Sequence, residues 1–219
     1  MKPQQNFDAY EEHRVLMNAH AEKDKDSWHP ECSEIIKTFL PQTRFKNTVD
    51  IACCGGSTLD TIGVSGENLT LLDFAEKQLE KAKNRLAPKF KNISLVHADL
   101  TKEPEKILSN APYDLVVCSH IIQHIEDEQK ASRIAQVALK ALGQGAVFVF
   151  VCYRRRPVFP FIPLPEKREG FFTHKELGLR IFYRRYVKEE ILAMFSELEC
   201  LGIDDKSKAG DIVFVGRKK

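Results

Sequence analysis

The stretch from Val49 to Thr58 constrains the fold of this chain more than any other. A strand-like run over 49–52 (VDIA) leads into four small residues at 53–56 (CCGG), and a helix-like segment begins at Ser57. A strand that ends in a turn of small residues before a helix is typical of the first loop in nucleotide-binding, doubly wound sheets. Small side chains let backbone N–H groups approach a ligand at the positive end of the helix. The stretch therefore predicts a ligand site.

Asp73 is the acidic residue that such a site requires. It closes the apolar run 69–72, and an acid about 20 residues beyond the turn, at the tip of the second strand, can bind the hydroxyls of a ribose. The alternative is that Asp73 only ends a strand or caps the helix that follows. The turn that precedes it favours ribose binding.

Length and composition are those of one folded domain. The chain has 219 residues, which is long enough for a sizeable core. Its formal net charge of +2 is too small to indicate a general nucleic-acid binder. Its six cysteines, at 32, 53, 54, 118, 152 and 200, form no Cys-x-x-Cys pair. We therefore expect buried thiols, a reducing compartment and no metal site. No apolar leader or membrane-length run is present, so we expect a cytoplasmic protein without a membrane partner.

Apolar runs that alternate with amphipathic segments predict a doubly wound, mostly parallel α/β sheet with helices on both faces. Strands are expected to end at the 52–56 turn, Asp73, Asp99, Ser119 and Cys152, and a closing antiparallel hairpin over 198–203 and 212–215 makes seven. Helices are expected over 6–25, 31–40, 57–62, 75–86, 101–108, 128–142 and from 187, with a turn at 143–145. Ligands bind at the carboxyl ends of parallel strands, so the turn and the acids should meet at one edge.

Asp50 and the turn resemble the first motif of the class I S-adenosylmethionine-dependent methyltransferases, an acid followed by Gly-x-Gly-x-Gly. This chain keeps Gly56 and has Ala52 and Cys54 at the other two glycine positions. The resemblance implies S-adenosylmethionine as cofactor, and the closing hairpin fits this family better than a nicotinamide-binding fold. The cofactor-binding residues that it implies are Asp50, Ala52, Cys53, Cys54, Gly56, Asp73, Phe74, Asp99, Leu100 and Ser119. Asp99 matches the acid that contacts the adenine amino group, and the alternative is that it caps the next helix.

The segment after the fourth strand supplies the candidate catalytic residues. His120 to Ile125 resembles the family segment that turns from strand to helix beside the transferred methyl group. A histidine can remove a proton near neutral pH from a hydroxyl or amine acceptor. His124 is the first candidate for this base and His120 the second. The alternative is that these histidines only fix the loop through hydrogen bonds.

The resemblance divides the chain into a helical lid (1–44), a cofactor-binding core (45–152), a basic and aromatic substrate insert (153–186) and a closing helix and hairpin (187–219). Between Tyr153 and Lys188 there are ten Lys or Arg and three Glu, and guanidinium groups bind carboxylates or phosphates in forks. We therefore expect a small anionic acceptor. The candidate substrate-binding residues are Tyr10, Arg154, Arg155 and Arg184, and Trp28 of the lid could also contact the acceptor.

Three functions remain open on these grounds. The first is methyl transfer to a small anionic acceptor. The second is methyl transfer to tRNA or protein, with phosphates on the arginines and bases stacked on Phe171, Phe172 or Tyr183. The third is a binding protein of methyltransferase fold without turnover, which Ala52 and Cys54 motivate. The sequence leaves the oligomeric state open.

Overall fold

A computed structural model describes residues 9–22, 30–155, 168–173 and 176–219. In chain order the elements are α1 (Ala9–Glu22), α2 (Pro30–Phe39), β1 (Arg44–Ile51), α3 (Ser57–Ile62), β2 (Ser65–Asp73), α4 (Glu76–Leu86), β3 (Phe90–His97), β4 (Tyr113–Ser119), α5 (Glu128–Ala141), β5 (Leu142–Tyr153), β6 (Glu169–Thr173), β7 (Arg180–Arg184), α6 (Lys188–Met194), β8 (Leu198–Asp204) and β9 (Asp211–Lys218). Seven strands form one sheet in the order β3-β2-β1-β4-β5-β9-β8. The first five are parallel, while β9 pairs antiparallel with β5 and β8. The predicted fold class is confirmed.

Two apolar layers hold the helices against opposite faces of the sheet. Ile36, Leu59 and Leu79 anchor α2, α3 and α4 on one face, and Ile134 and Ile191 anchor α5 and α6 on the other. The central strand β4 contributes alternate residues to both layers, which explains its continuous apolar sequence. The parallel crossovers bring the carboxyl ends of β1 to β5 to the same edge.

Two local predictions were wrong. Residues 104–108 form a 3₁₀ helix, which begins three residues later than the predicted helix over 101–108, because Pro104 lacks an N–H and is tolerated only in a first turn. The predicted turn at 143–145 lies inside β5, which pairs with β4 at Leu142 and again from Val147. Gly145 has a φ of 71°, so the strand accommodates the irregularity without ending.

The insert contains a small sheet of its own. β6 and β7 pair antiparallel as a hairpin, apart from the main sheet. Its Ile181 and Phe182 are buried, whereas Phe171 and Phe172 are exposed by about two fifths. Among the described helices, none has both the length and the apolar composition that a membrane crossing requires.

Replacing Gly66 with alanine should destabilise the fold by about 2–3 kcal/mol, because overpacking against a rigid neighbour costs energy on this scale. A Cβ at this position would lie 1.9 Å from the backbone oxygen of Phe45 in the adjacent strand. Chemical denaturation measures the loss. Gly143→Ala is the matched control, since its Cβ would meet Tyr113 at an ordinary 3.4 Å. Equal stability of the two variants would contradict the packing described for β1 and β2.

Candidate ligand-binding site

An apolar cavity of about 200 Å³ lies at the carboxyl ends of the parallel strands. Its walls come from the turn after β1, the ends of β2, β3 and β5, the segment after β4, the β6–β7 hairpin and α1. The sequence analysis placed candidate cofactor-binding and catalytic residues on the turn after β1, the ends of β2 and β3 and the segment after β4. α1 and the hairpin form the opposite wall.

The turn after β1 has the backbone of a glycine-rich loop, although Ala52 and Cys54 stand at two of the three glycine positions of the motif. Ala52, Cys54 and Gly56 have φ values of 57°, 46° and 75°. The left-handed region costs a non-glycine residue about 1–2 kcal/mol. Ala52 and Cys54 nevertheless adopt it and line the cavity. Gly56 packs behind them, where a Cβ would come within 3.1 Å of the Ala82 backbone.

Asp73 lines the cavity at the tip of β2 and is only 3% exposed. One carboxylate oxygen accepts a hydrogen bond from the Cys54 backbone N–H at 3.0 Å, and the other accepts from the Ala75 N–H at 2.9 Å. Burial raises the pKa of Asp73 to about 6, and the two backbone hydrogen bonds oppose that rise. The carboxylate is thus fixed at the cavity wall and ionised at neutral pH. Phe74 follows it in the same wall.

Asp50 lies behind the cavity and is 1% exposed. Neither of its carboxyl oxygens has a hydrogen-bond partner among the described residues. Burial, and then the charge of Asp73, raise its pKa well above the ordinary value. Cys53 is also buried behind the wall, in the apolar layer under α3.

Asp99 follows β3, beside Asp73. The Ala98 N–H donates to the Asp73 backbone oxygen at 3.1 Å, and Ala98 and Leu100 line the cavity. The Asp99 carboxylate accepts hydrogen bonds from the backbone and hydroxyl of Thr101 and pairs with Lys102. Burial alone would raise the pKa of Asp99, but these contacts lower it overall. This arrangement is that of a capping residue, and the described cavity wall does not include the Asp99 side chain.

The two candidate histidines have different surroundings. His124 is buried, and its Nδ1 lies 2.8 Å from the backbone oxygen of Phe182. A carbonyl can only accept, so Nδ1 carries the proton and Nε2 is the free acceptor in the neutral ring. Burial lowers the pKa of His124 to about 4. Both His124 and His120 line the cavity.

Hydrogen bonds orient His120 from both ring nitrogens. Nδ1 lies 3.1 Å from the Ser119 hydroxyl, and Nε2 lies 3.1 Å from the carboxylate of buried Asp211 in β9. His120 has a φ of 56°, a strained value for a residue with a Cβ. The sequence analysis missed Asp211, because an acid in a closing hairpin carries no motif. Ser119 is outside the described cavity wall, and it contacts the wall through its hydrogen bond to His120.

The described wall contains none of the candidate arginines. The Arg154 guanidinium donates to the backbone oxygens of Asp205 and Ser207. Arg184, 4% exposed, donates to Glu169 and to the backbone oxygen of Glu126. Arg155 is half-buried outside the cavity wall.

Two further candidate contacts cannot be placed. Tyr10 belongs to the first turn of α1, but its side chain lies outside the described residues, and so does Trp28.

One face of α1 covers the cavity. His13, Leu16, Met17 and His20 line it, a spacing of three, four and seven residues that places all of them on one side of a helix. Val15 of the same helix is not part of this face and is 45% exposed. The recurrence of His and Met at helical spacing was the available signal.

Contacts on two sides hold α1 in place. Gln78 of α4 donates its side-chain N–H to the Met17 backbone oxygen at 2.6 Å, and Met17 packs against Phe74. At the other side, the Arg180 backbone N–H of β7 donates to the Glu12 carboxylate. The hairpin adds Phe172 and Ile181 to the cavity wall.

Comparisons with known proteins agree with this geometry. Residues 48–143 match the family model of a methyltransferase domain. Two relatives are the ubiquinone biosynthesis O-methyltransferases of Bordetella bronchiseptica, 30% identical over 119 residues (53% of this chain and 46% of the relative), and of Aromatoleum aromaticum, 27% identical over 119 residues (54% and 49%). The chain thus spans about half the length of the curated relatives it matches.

Solved structures share the whole fold. The complex of DhpI with SAH superposes with a TM-score of 0.70 at 15% identity and covers 96% of this chain and 97% of its own. The Burkholderia thailandensis 1,6-didemethyltoxoflavin-N1-methyltransferase, bound to 1,6-didemethyltoxoflavin and S-adenosylhomocysteine, has a TM-score of 0.65 at 13% identity, with 97% and 91% covered. The chain thus has the class I methyltransferase fold, and residues 48–143 match a methyltransferase domain, as the sequence predicted.

Replacing Ala52 with glycine should stabilise the protein by about 0.5 kcal/mol. Relief of left-handed strain contributes about 1–2 kcal/mol, and the greater freedom of the unfolded chain removes about 0.4–1 kcal/mol of it. Ala87→Gly is the matched control, because Ala87 has an ordinary φ of −51° and should lose about 0.5–1 kcal/mol. Urea denaturation of both variants checks this. A loss at position 52 equal to that at 87 would contradict the strained turn.

Proposed function

We propose that this protein is an S-adenosylmethionine-dependent methyltransferase that acts on a small molecule with a planar, largely apolar body. One observation carries the proposal: the fixed Asp73 carboxylate and the neutral His124 ring line the same cavity. A hydroxyl-binding carboxylate and a proton acceptor are thus within one enclosed site. The O- and N-methyltransferases among the similar proteins support the reaction type.

The chain's own residues fit the cofactor. Asp73 would accept hydrogen bonds from ribose hydroxyls, and the apolar side chains of Phe74, Ala98 and Leu100 offer a wall for the adenine ring. Ala52 and Cys54 keep the turn in the conformation that glycines usually provide. A cationic ligand would also stabilise the charged form of the buried Asp50. When bound, S-adenosylmethionine supplies a methyl group to a lone pair of the acceptor, and the carbon–sulfur electron pair returns to sulfur.

His124 is the proposed general base. Its Nδ1 is held by the Phe182 carbonyl, so Nε2 would take the proton from the O–H or N–H of the acceptor. The low pKa of His124 keeps Nε2 unprotonated at neutral pH. His120, bound at both nitrogens to Ser119 and Asp211, is the second candidate and is better placed to shape the wall.

The anionic acceptor has less support than an uncharged one. The guanidinium groups of Arg154 and Arg184 bind backbone oxygens and Glu169, and the cavity wall is mainly apolar and aromatic. A small enclosed site also favours a small molecule over tRNA or protein. The third alternative, a binding protein without turnover, was motivated by Ala52 and Cys54. It has less support, since both residues adopt the glycine-like backbone.

Calorimetry with S-adenosylmethionine and S-adenosylhomocysteine tests the function directly, and a transfer assay identifies the acceptor. Binding of both compounds, and transfer of labelled methyl into the small-molecule fraction of a cell extract, are expected. Label in RNA that falls steeply with salt would instead support a nucleic-acid acceptor. No binding of either compound to folded protein would overturn the proposal. Binding of these compounds without transfer of labelled methyl to any fraction of the extract would favour the alternative of a binding protein without turnover.

S-Adenosylhomocysteine affinity should fall about tenfold for each pH unit below 6, since protonated Asp73 loses its acceptor charge. The pKa of this group is raised to about 6, so the carboxylate is lost as the pH drops through that value. Asp73→Ala should weaken binding at least tenfold at neutral pH. Asp60→Ala, on a surface ion pair with Lys89, is the control and should bind normally. A pH-independent affinity would show that Asp73 does not contact the ribose.

His124→Ala should lower the rate constant of methyl transfer by about 10²–10⁴-fold, the usual contribution of a general base. S-Adenosylhomocysteine affinity should stay within a factor of about three, which confirms an intact fold. With S-adenosylmethionine kept at saturation at every pH, so that protonation of Asp73 does not limit binding, the wild-type rate should remain level as the pH falls through 6.5 and should drop only toward about 4, the lowered pKa of His124. Rates measured from pH 4 to 9 decide this, and a midpoint near 6.5 would favour a base other than His124.

A further inference from the structure

The guanidinium group of Arg184 in β7 is a buried charge outside the described cavity wall. Its Nε donates to the Glu169 carboxylate at 2.9 Å, and its Nη2 donates to the Glu126 backbone oxygen at 3.0 Å. Burial alone would lower the pKa of Arg184, but the hydrogen bonds and charges of Glu169 and Tyr186 raise it overall. A buried charge is unfavourable unless it is paired and hydrogen-bonded. Arg184 is thus a charged group that joins parts of the protein to each other.

The parts that Arg184 joins include the segment with the proposed base. Glu126, whose backbone oxygen binds the guanidinium, follows His124 by two residues. Phe182, whose backbone oxygen binds His124 Nδ1 at 2.8 Å, precedes Arg184 by two residues. β7 and the segment after β4 therefore meet at two neighbouring places along both segments. The contact of Arg184 fixes their separation beside the contact of the Phe182 carbonyl.

The β6–β7 hairpin holds Arg184 on its other side. Glu169 of β6 lies directly opposite Arg184 in the antiparallel register. The guanidinium carbon is also 5.4 Å from the ring centroid of Phe182, an arrangement in which a cation and an aromatic ring attract each other. The planar guanidinium is rigid, so its several contacts define one geometry. Arg184 is therefore fixed against the residue whose carbonyl binds His124.

We propose that Arg184 is a positioning residue for His124. By holding β7 against Glu126, it keeps the Phe182 carbonyl in place to bind the proton on Nδ1, so Nε2 is the free proton acceptor. The hydrogen bond at one ring nitrogen of a neutral histidine decides where the proton lies. This inference rests on the proposed function. When the acceptor's proton moves to Nε2, the Nδ1 proton stays on the ring and continues to donate to the Phe182 oxygen.

Arg184→Met removes both donated hydrogen bonds and keeps a long, unbranched side chain. Glu169 is half exposed and can be hydrated once it is unpaired, and apolar residues often replace buried ion pairs without loss of stability. The rate constant of methyl transfer into the small-molecule fraction of a cell extract should fall about 10–100-fold, a part of what a general base contributes. The KM for S-adenosylmethionine should change by less than about threefold, because uniform binding is untouched. Arg184→Lys, which keeps one donor, should recover part of the rate.

Side-chain nitrogen NMR reads the position of the His124 proton without any acceptor, and His124→Ala assigns the signals. In the wild type the proton should be on Nδ1 and Nε2 should be bare. In Arg184→Met the signals should show a mixture of the two neutral forms. Arg180→Met is the matched control, because Arg180 is exposed on the same strand and lies over Phe171. It should keep the wild-type signals and rate.

A wild type with the proton on Nε2 would overturn the inference, and so would an Arg184→Met protein that keeps the wild-type rate or a single form of His124. Failure of both Arg184 variants to fold would also overturn it, since Arg184 would then support the whole fold. Failure of the proposed function would be seen separately, as a folded wild type that binds no S-adenosylhomocysteine and transfers no methyl group. The NMR measurement depends on neither of these.

Discussion

The candidate site depends on the two hydrogen bonds that the Asp73 carboxylate accepts from the backbone. The two carboxylate oxygens accept backbone hydrogen bonds from Cys54 and Ala75, and so join the turn after β1 to the tip of β2. The left-handed backbone of Cys54 aims its N–H at this carboxylate, which helps to hold the residue in a strained conformation. Burial of the group opposes ionisation. The protein therefore maintains a carboxylate at the cavity wall that a hydroxyl-bearing ligand can use.

The fold supplies the rest of the site by topology. Parallel crossovers bring the turn, Asp73, Ala98 and the segment with His120 and His124 to one edge of the sheet. The antiparallel strand β9 then places Asp211 against His120. Elements outside this regular pattern, α1 and the β6–β7 hairpin, complete the cavity. The proposed cofactor-side residues thus come from the core of the sheet, and the remaining cavity wall comes mainly from additions to it.

The sequence predicted the core well because its signals are local. A buried parallel strand, an amphipathic helix and a turn of small residues each leave a periodic pattern, and the predicted β4 agrees with the structure from Tyr113 to Ser119. The cavity residues of α1 and the β6–β7 hairpin leave no such clear local pattern, so the sequence did not predict them. The positive charge of Arg154 and Arg184 indicated an anion, yet both groups are used to hold neighbouring backbone. Asp211 matters through a contact with His120, 91 residues earlier in the chain, and no spacing in the sequence records that contact.

The placement of α1 has a consequence for the proposed reaction. The cavity of about 200 Å³ is smaller than the roughly 300–1,000 Å³ of typical small-molecule sites, so a cofactor and an acceptor can be bound together only if the elements that cover the cavity, α1 and the β6–β7 hairpin, move apart. Among the described residues, hydrogen bonds from Gln78 to the Met17 carbonyl, from the Lys77 N–H to Asn18 and from the Arg180 N–H to Glu12 attach α1 to the rest of the fold. In the proposed methyl transfer, breaking these contacts would accompany the departure of the spent products.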